Sequence, residues 1–291
     1  MNAYIPLSSS TGEDDKVLIR NFLSGSQSDL DKLIRRHYNF IYNVAIRFVL
    51  SPDDAEDLTQ EVLLIVMSKL SQFQFESEFR TWLYKIVFHH FLNSKRRKME
   101  FIVTDFQTYG QGLDSIPNQE LSLEETIHLK EEIEDAKLSC MTGMLICLTR
   151  DQRLIFILGE IFQIDSEIGG SILNISPENY RKKLSRSRKE LYNFMNQKCG
   201  LILESNPCRC PKKTKGFIEA GWVNAEDLKF NNHFTEKIAK FVEANKNQSD
   251  SLLEEKYGSL FKDHPFYDKS TVKGKLIEFE KDPEVRKSFS V

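Results

Sequence analysis

Between residues 14 and 198, apolar residues recur every three or four positions through most of the chain. That spacing places them on one face of an α-helix, where each helix can bury an apolar stripe against its neighbours. Only 13 of the 291 residues are glycine and eight are proline, which argues against a β-rich chain with many tight turns. The sequence therefore predicts an all-α protein. Helices are predicted at 14–50, 52–70, 79–98, 123–147, 151–162, 165–173 and 177–198, with two more in 225–260.

The length predicts about two domains, or three. Forty basic residues against 43 acidic ones give a net charge of −3, which excludes a uniformly basic nucleic-acid binder such as a histone. The opposite charges are nevertheless segregated along the chain. Basic residues cluster at 95–98 and 181–198, and acidic residues at 53–61 and 101–135. This pattern favours two partners of different charge.

Several classes of protein do not fit the sequence. No apolar run approaches the about 18 residues that a membrane helix needs, and the first residues lack the pattern of a signal peptide. We therefore expect a cytoplasmic protein without membrane insertion. Five cysteines fit poorly with a disulfide scaffold. We find no phosphate-binding loop, dinucleotide motif, zinc-protease motif or catalytic triad signature, so we expect no enzymatic activity.

Residues 165–198 have the pattern of a helix-turn-helix. A three-residue turn at 174–176 joins two predicted helices, and the second begins with a Ser176 cap followed by Pro177. In this motif the second helix enters the major groove of DNA. The alternative is a basic, solvated helix packed on its apolar stripe. The predicted base contacts are Glu178, Asn179, Arg181 and Lys182, and the predicted phosphate contacts are Lys183, Arg186 and Arg188.

The run DDAEDLTQEV at 53–62, followed by FRTWLYKI at 79–86, strongly resembles region 2 of extracytoplasmic-function (ECF) sigma factors. These proteins are initiation subunits of bacterial RNA polymerase. The stretch from LTRDQRLIF at 148–156 to Arg188 is similar to region 4 of the same family and contains the helix-turn-helix. The resemblance covers about residues 14–198. It implies a region 2 bundle at 14–99, an acidic linker at 100–122, region 4 at 123–198 and a mostly helical, regulatory extension at 199–291.

The resemblance also implies roles for residues in region 2. The acidic helix would grip the clamp helices of the polymerase β′ subunit, and the loop 72–78 would capture a flipped base of the −10 element. Acids that only stabilise a helix N-terminus are the alternative. Phe79 and Leu83 are predicted to be core residues. The implied polymerase contacts are Asp53, Asp54, Glu56, Asp57, Gln60 and Glu61, and the implied −10 contacts are Arg80, Trp82, Lys85, His89, Lys95, Arg96, Arg97 and Lys98.

Two features leave alternatives open. The acidic linker matches a segment that, in this family, threads toward the active centre and RNA exit path, but a solvated spacer explains it equally well. Gly169 and Gly170 depart from the family pattern, which has an apolar residue there. Two glycines destabilise a helix by about 1 kcal/mol each, so this helix is expected to be short or loosely packed.

The extension contains Cys199, Cys208 and Cys210, whose thiols could bind zinc or copper, with His233 as a fourth ligand, or act as a redox switch. Cys140 and Cys147 lie on an apolar predicted helix and are expected to be buried as hydrophobic residues. We expect no required cofactor.

The predicted function is promoter-specific transcription initiation by core RNA polymerase, through −35 and −10 elements. The expected partners are the polymerase β′ clamp helices and β subunit, promoter DNA and a candidate anti-sigma protein. One alternative is a repressor or activator that binds duplex DNA without polymerase. Another is a protein that sequesters core polymerase without starting transcription.

Overall fold

The computed structural model describes residues 11–226 and residue 228, and within these residues it contains helices but no β-strand. The all-α prediction is confirmed there. An isolated parallel bridge joins Cys199 and Cys208. The helices are α1 Thr11–Leu23, α2 Gln27–Val49, α3 Pro52–Lys69, α4 Phe79–Asn93, α5 Lys98–Ile102, α6 Phe106–Ser115, α7 Leu123–His128, α8 Lys130–Ile146, α9 Arg150–Phe156, α10 Ser166–Leu173, α11 Pro177–Lys198 and α12 Cys210–Glu219.

Side-chain caps start the helices where the sequence predicted them. The Ser51 hydroxyl accepts a hydrogen bond from the Asp54 N–H at 3.3 Å, and Pro52 follows it in the first turn. Thr149 caps α9 and Ser176 caps α11 in the same way. Each cap satisfies an N–H group that has no partner within its own helix.

Helices α1 to α4 form one bundle, in which α2 and α3 make the largest contact. Ile41 of α2, Leu58 and Val62 of α3 and Phe88 of α4 are fully buried in its core. Phe79 and Leu83 are also buried, which confirms that they are core residues. Burial of each such side chain contributes about 1.5–3 kcal/mol to folding.

Helices α9 to α11 form a second packed unit. Leu154, Ile172, Tyr180 and Leu191 are buried within it. A Cβ atom on Gly169 would lie 2.4 Å from the Tyr180 ring, so the glycine lets the two helices approach closely. The expectation of a short helix is confirmed, since α10 has eight residues. The expectation of loose packing is wrong, because the Tyr180 ring fills the space that an apolar side chain would take.

Three charged residues tie the two units together. The buried Glu100 carboxylate accepts hydrogen bonds from Arg150 and Arg153 at the start of α9. Arg150 also donates to the carbonyl oxygens of Phe91 and Leu92 at the end of α4, at 3.2 and 3.3 Å. The last carbonyl groups of a helix have no partner within it, so the guanidinium satisfies them from outside.

Two differences from the sequence prediction lie between α4 and α7. The helix predicted at 79–98 ends at Asn93, so that residues 94–97 are not helical. The segment 100–122, predicted to be a linker without periodicity, contains most of α5 and all of α6. The two helices predicted in 225–260, the mixed segment 261–291 and His233 lie outside the described residues.

The described start of the extension folds back onto the segment that precedes α8. Lys213 of α12 is buried and its ammonium donates to the carbonyl oxygens of Leu113, at 3.0 Å, and of Ile116. The Trp222 ring stacks on Phe217 with 5.3 Å between centroids. The same ring lies beside Gly112 of α6.

Candidate functional site

The exposed face of α11 presents most of the side chains predicted to read DNA. Asn174 takes a left-handed conformation with φ 54° and ends α10, and α11 begins after two further residues. This is the predicted helix-turn-helix arrangement. Glu178, Asn179, Arg181, Lys182 and Arg186 are all exposed on the first half of α11.

Several of these polar groups have partners within the chain. Arg181 donates to the Ser166 hydroxyl at 2.8 Å, and Lys182 pairs with Glu178 at 2.7 Å. Lys183 pairs with Asp151 at 2.8 Å. Both lysine–carboxylate pairs are open to solvent, where ion pairs are weak. Each lysine can therefore exchange its carboxylate partner for a phosphate group.

Arg188 is held more firmly. Its Nε lies 2.5 Å from a carboxylate oxygen of Glu160, which is buried. Removing the arginine from this contact would leave a buried carboxylate without its cation, which is costly. Arg188 therefore acts first as a structural partner of Glu160, and its predicted phosphate contact is secondary.

The loop 72–78, predicted to capture a base of the −10 element, rests on a cluster of aromatic rings. Phe73 is buried and lies 4.9 Å from Phe75 and 5.5 Å from Trp82, measured between ring centroids. Phe75 has a left-handed backbone with φ 60°, which turns the chain sharply. Arg20 of α1 lies over the Phe75 ring at 5.1 Å. The rings anchor the loop, and the exposed side chains are polar: Gln72, Gln74, Glu76, Ser77 and Glu78.

Arg80 does not occupy a position from which it could contact DNA, and that prediction is corrected. The residue is 4% exposed, and its Nε lies 4.0 Å from Asp15 of α1. A guanidinium buried beside a carboxylate stabilises the bundle. Trp82, Lys85 and His89 of the same helix are half-buried, and the His89 ring lies 3.3 Å from the Asn174 side chain.

The basic cluster after α4 divides into two groups. Lys95, Arg96 and Lys98 are exposed and available to a phosphate backbone. Arg97 is turned inward, and its guanidinium donates to Glu61 at 3.0 Å. The prediction that Arg97 contacts DNA does not fit this placement, because the guanidinium is engaged by the acidic helix.

The acidic helix α3 presents a mixed polar and apolar face to solvent. Asp53, Asp57 and Gln60 are exposed, and Asp54 is partly so. Leu64, one turn beyond Gln60, is 40% exposed. The spacing of 53, 57, 60 and 64 aligns these side chains along one side of the helix. The sequence analysis did not identify Leu64 as part of this face.

Two of the predicted polymerase contacts interact with neighbouring parts of the bundle. Glu56 is only 8% exposed, so its predicted contact with the polymerase is corrected. It lies near Tyr38 of α2, and burial together with the Glu56 charge raises the pKa of Tyr38 to about 12. Glu61 faces α4, where His90 lies 2.8 Å from its carboxylate. Glu56 therefore belongs to the bundle core, whereas the Glu61 side chain is still 43% exposed and its polymerase contact stays a prediction.

The acidic segment before α8 is partly neutralised by lysines that follow it in the chain. Lys215 lies 2.6 Å from Glu125, and Lys198 lies 2.5 Å from Asp114. Lys212 pairs with Glu120. The hydrogen bond from Lys215, together with the Ser122 N–H, lowers the pKa of Glu125 to about 2. The three lysines at 212–215 therefore all contact the segment that precedes α8.

Within the described residues, no helix is both long enough and apolar enough to span a membrane.

Comparison with known proteins adds independent findings. Residues 33–100 match the family model for sigma-70 region 2. The chain is 27% identical over 170 residues to the ECF RNA polymerase sigma factor SigE of Mycolicibacterium smegmatis, covering 57% of this chain and 61% of that protein. It is 27% identical over 175 residues to the RNA polymerase sigma factor YlaC of Bacillus subtilis, covering 59% of this chain and 94% of that protein.

Among solved structures, the structure of CnrH in complex with the cytosolic domain of CnrY is similar to this chain with a TM-score of 0.45. The two are 18% identical, and the alignment covers 62% of this chain and 97% of that chain.

Proposed function

We propose that this chain is a sigma factor of the ECF group, which binds core RNA polymerase and directs promoter-specific transcription initiation. The observation that carries the proposal is the order of two different surfaces along one chain. An exposed acidic and apolar helix face lies inside the segment 33–100 that matches sigma-70 region 2, and an exposed basic helix-turn-helix follows it. Sigma factors are generally not enzymes, and we assign no reaction to the chain itself.

The polymerase contact is assigned to the exposed face of α3. Asp53, Asp57 and Gln60 offer two charges and an amide, and Leu64 adds apolar area beside them. Such a face suits a basic partner with an apolar seam, because charge complementarity guides the encounter while buried apolar surface holds the complex. Glu56 lies beneath this face within the bundle, and Glu61 lies beside it, where it pairs with Arg97 and His90.

Recognition of the −35 element is assigned to the first half of α11. Asn179 and Arg181 lie near the helix N-terminus, where a recognition helix contacts base edges. Both side chains can make paired hydrogen bonds with a base. Lys182 and Arg186 supply positive charge to neighbouring phosphates. The turn at 174–176 sets the angle at which α11 leaves α10.

Recognition of the −10 element is assigned to the loop 72–78 with Trp82, Lys85, Lys95, Arg96 and Lys98. The aromatic cluster under the loop holds its backbone, so that exposed polar side chains can contact an unstacked base. The basic residues after α4 attract the phosphates of the single strand. We expect these events to occur in the cytoplasm, where the polymerase works, and an anti-sigma protein remains a predicted partner.

Binding of promoter fragments in the presence and absence of core polymerase tests the proposal. The probe is a genomic fragment library, and bound fragments are separated from free fragments on a native gel and sequenced. We expect selective binding only when core polymerase is added. Equally selective binding by the chain alone would favour the repressor or activator alternative.

A further inference from the structure

Four of the five cysteines line one small cavity. The cavity has a volume of about 10 Å³, measured as the space open to the centre of a water molecule, and it is lined by Cys140, Cys199, Cys208 and Cys210. That volume accommodates about one atom or one water molecule. None of the five cysteines forms a disulfide. Cys147, on the same part of the chain as Cys140, does not line the cavity.

The chain builds this cavity from three separate segments. Cys140 lies on α8, Cys199 directly follows α11, and Cys210 begins α12. Cys208 is fixed to the end of α11, because its N–H donates to the Lys198 carbonyl at 3.2 Å and its carbonyl accepts from the Gly200 N–H at 3.0 Å. A Cβ atom at position 200 would lie 2.6 Å from that carbonyl, so the close approach requires glycine.

A second side chain holds the connecting loop in place. The Asn206 amide donates to the carbonyl oxygens of Asn196 and Cys199, at 2.8 and 3.0 Å. The loop therefore caps the end of α11 while it returns the chain to Cys208. The positions of the three cysteines after α11 are set by backbone hydrogen bonds as well as by side-chain packing.

The surroundings of the thiols are unusual for a purely apolar core. Cys199 and Cys210 are buried, and Cys140 and Cys208 are partly buried. Lys137 and Lys198 line the same cavity. Their ammonium groups pair with Glu134 at 2.6 Å and with Asp114 at 2.5 Å, so both lysine charges already have a counter-ion.

We propose that Cys140, Cys199, Cys208 and Cys210 form a four-thiolate site for a soft metal ion. The sequence suggested three of these ligands with His233, whereas the structure brings Cys140 of α8 to the same cavity. Met141 and Met144 also line it, and sulfur-rich surroundings select Zn²⁺ or Cu⁺ over harder ions. Among the described residues, no three His, Cys, Asp or Glu side chains are already grouped so that they could hold an ion. Binding therefore requires the thiols to release their protons and turn inward until each sulfur lies about 2.3 Å from the metal.

Metal content of the full chain tests this site and requires neither polymerase nor DNA, so its outcome is independent of the proposed function. The chain is loaded with Zn²⁺ under reducing conditions, freed of loosely bound ion by gel filtration and analysed by mass spectrometry. We expect about one zinc ion per chain. Substitutions that alter only the surroundings of metal ligands lower metal affinity by roughly 10–100-fold. Cys140→Ser and Cys208→Ser each remove a ligand and should lower the Zn²⁺ affinity by more than that. Cys147→Ser is the matched control and should retain the ion.

Cobalt gives a readout that does not depend on whether the serine variants fold. Co²⁺ bound by the unaltered chain should show the visible bands of tetrahedral cobalt, with a thiolate-to-cobalt band whose intensity corresponds to four thiolates. The proposal is overturned if the reduced chain retains no zinc, if the Co²⁺ spectrum lacks the thiolate band, or if Cys140→Ser binds zinc as tightly as Cys147→Ser does.

Discussion

Arg150 donates two hydrogen bonds to the Glu100 carboxylate, from Nη2 at 2.6 Å and from Nε at 2.9 Å. Two-pronged pairing of this kind is stronger and more directional than a single contact. Arg153 adds a third hydrogen bond at 3.1 Å and is itself 2% exposed. Glu100, the last residue of the segment that matches sigma-70 region 2, is thereby joined to α9 within the predicted region 4.

We predict that Glu100→Gln lowers the free energy of unfolding by about 3 kcal/mol, because it leaves the buried Arg153 guanidinium without a full counter-charge. Urea denaturation near neutral pH measures the loss. Glu178→Gln is the matched control, since Glu178 forms an exposed pair with Lys182 and should contribute less than about 1 kcal/mol. Equal losses in the two variants would contradict a structural role for the Glu100 contacts.

The pH dependence of stability should change in the same variant. Burial alone would raise the pKa of Glu100, but hydrogen bonds from Arg150 and the Arg97 N–H, with the Arg153 charge, hold it below the ordinary value of 4.5. A folded-state pKa below the unfolded one gives stability that is full above pH 4.5 and is lost as the pH falls through the folded pKa. The difference in melting temperature between the unaltered chain and Glu100→Gln should therefore become smaller below pH 4.5. A difference that stays constant with decreasing pH would show that another group is responsible.

The helices could be predicted from the sequence where a periodic apolar stripe coincides with a capping residue. Ser51, Thr149 and Ser176 each begin a helix as expected, because their hydroxyl groups satisfy local N–H groups. Helix α6 was not predicted, since its ten residues include two glycines and few apolar residues. Its position depends on contacts with Phe194 and Trp222, which lie far away in the sequence.

The candidate site was harder to predict than the fold, because charge alone does not reveal which way a side chain points. Arg80 and Arg97 looked like DNA contacts, but Asp15 and Glu61 engage them within the bundle. Glu56 belongs to an acidic run, yet its position in the helical repeat turns it toward α2. The helical repeat could have separated Glu56 from Asp53 and Asp57. The residues around Arg80 and Arg97 in the sequence do not identify Asp15 and Glu61 as their partners, because each partner lies at least 36 residues away in the chain.

On α3, Asp57→Ala should weaken the binding of core polymerase by about five-fold, or roughly 1 kcal/mol, while stability changes little. Leu64→Ala should have a comparable effect, because Leu64 lies on the same exposed face. Glu56→Ala is the contrasting variant. Its side chain is buried, so the main effect should be on stability. Fluorescence titration with labelled core polymerase and urea denaturation separate the two effects, and unchanged polymerase affinity in both surface variants would remove α3 from the interface.

On α11, Arg186→Ala should weaken promoter binding by the complete complex with polymerase across all sequences. The slope of log affinity against log salt should fall by about 1, because one phosphate contact is lost. Lys69→Ala removes the same charge from the exposed end of α3 and is the control. Filter binding at several salt concentrations gives both quantities, and identical slopes for Arg186→Ala and the unaltered chain would argue against a phosphate contact there.

Run-off transcription with purified core polymerase and a genomic fragment library tests the central claim most directly. The account predicts transcripts of defined length that require both core polymerase and this chain, and that diminish when Asp57 and Leu64 are both replaced by alanine. If the folded chain binds core polymerase but no fragment gives a specific transcript, the chain sequesters polymerase and does not initiate. That result would contradict the assignment of this chain as an initiation factor.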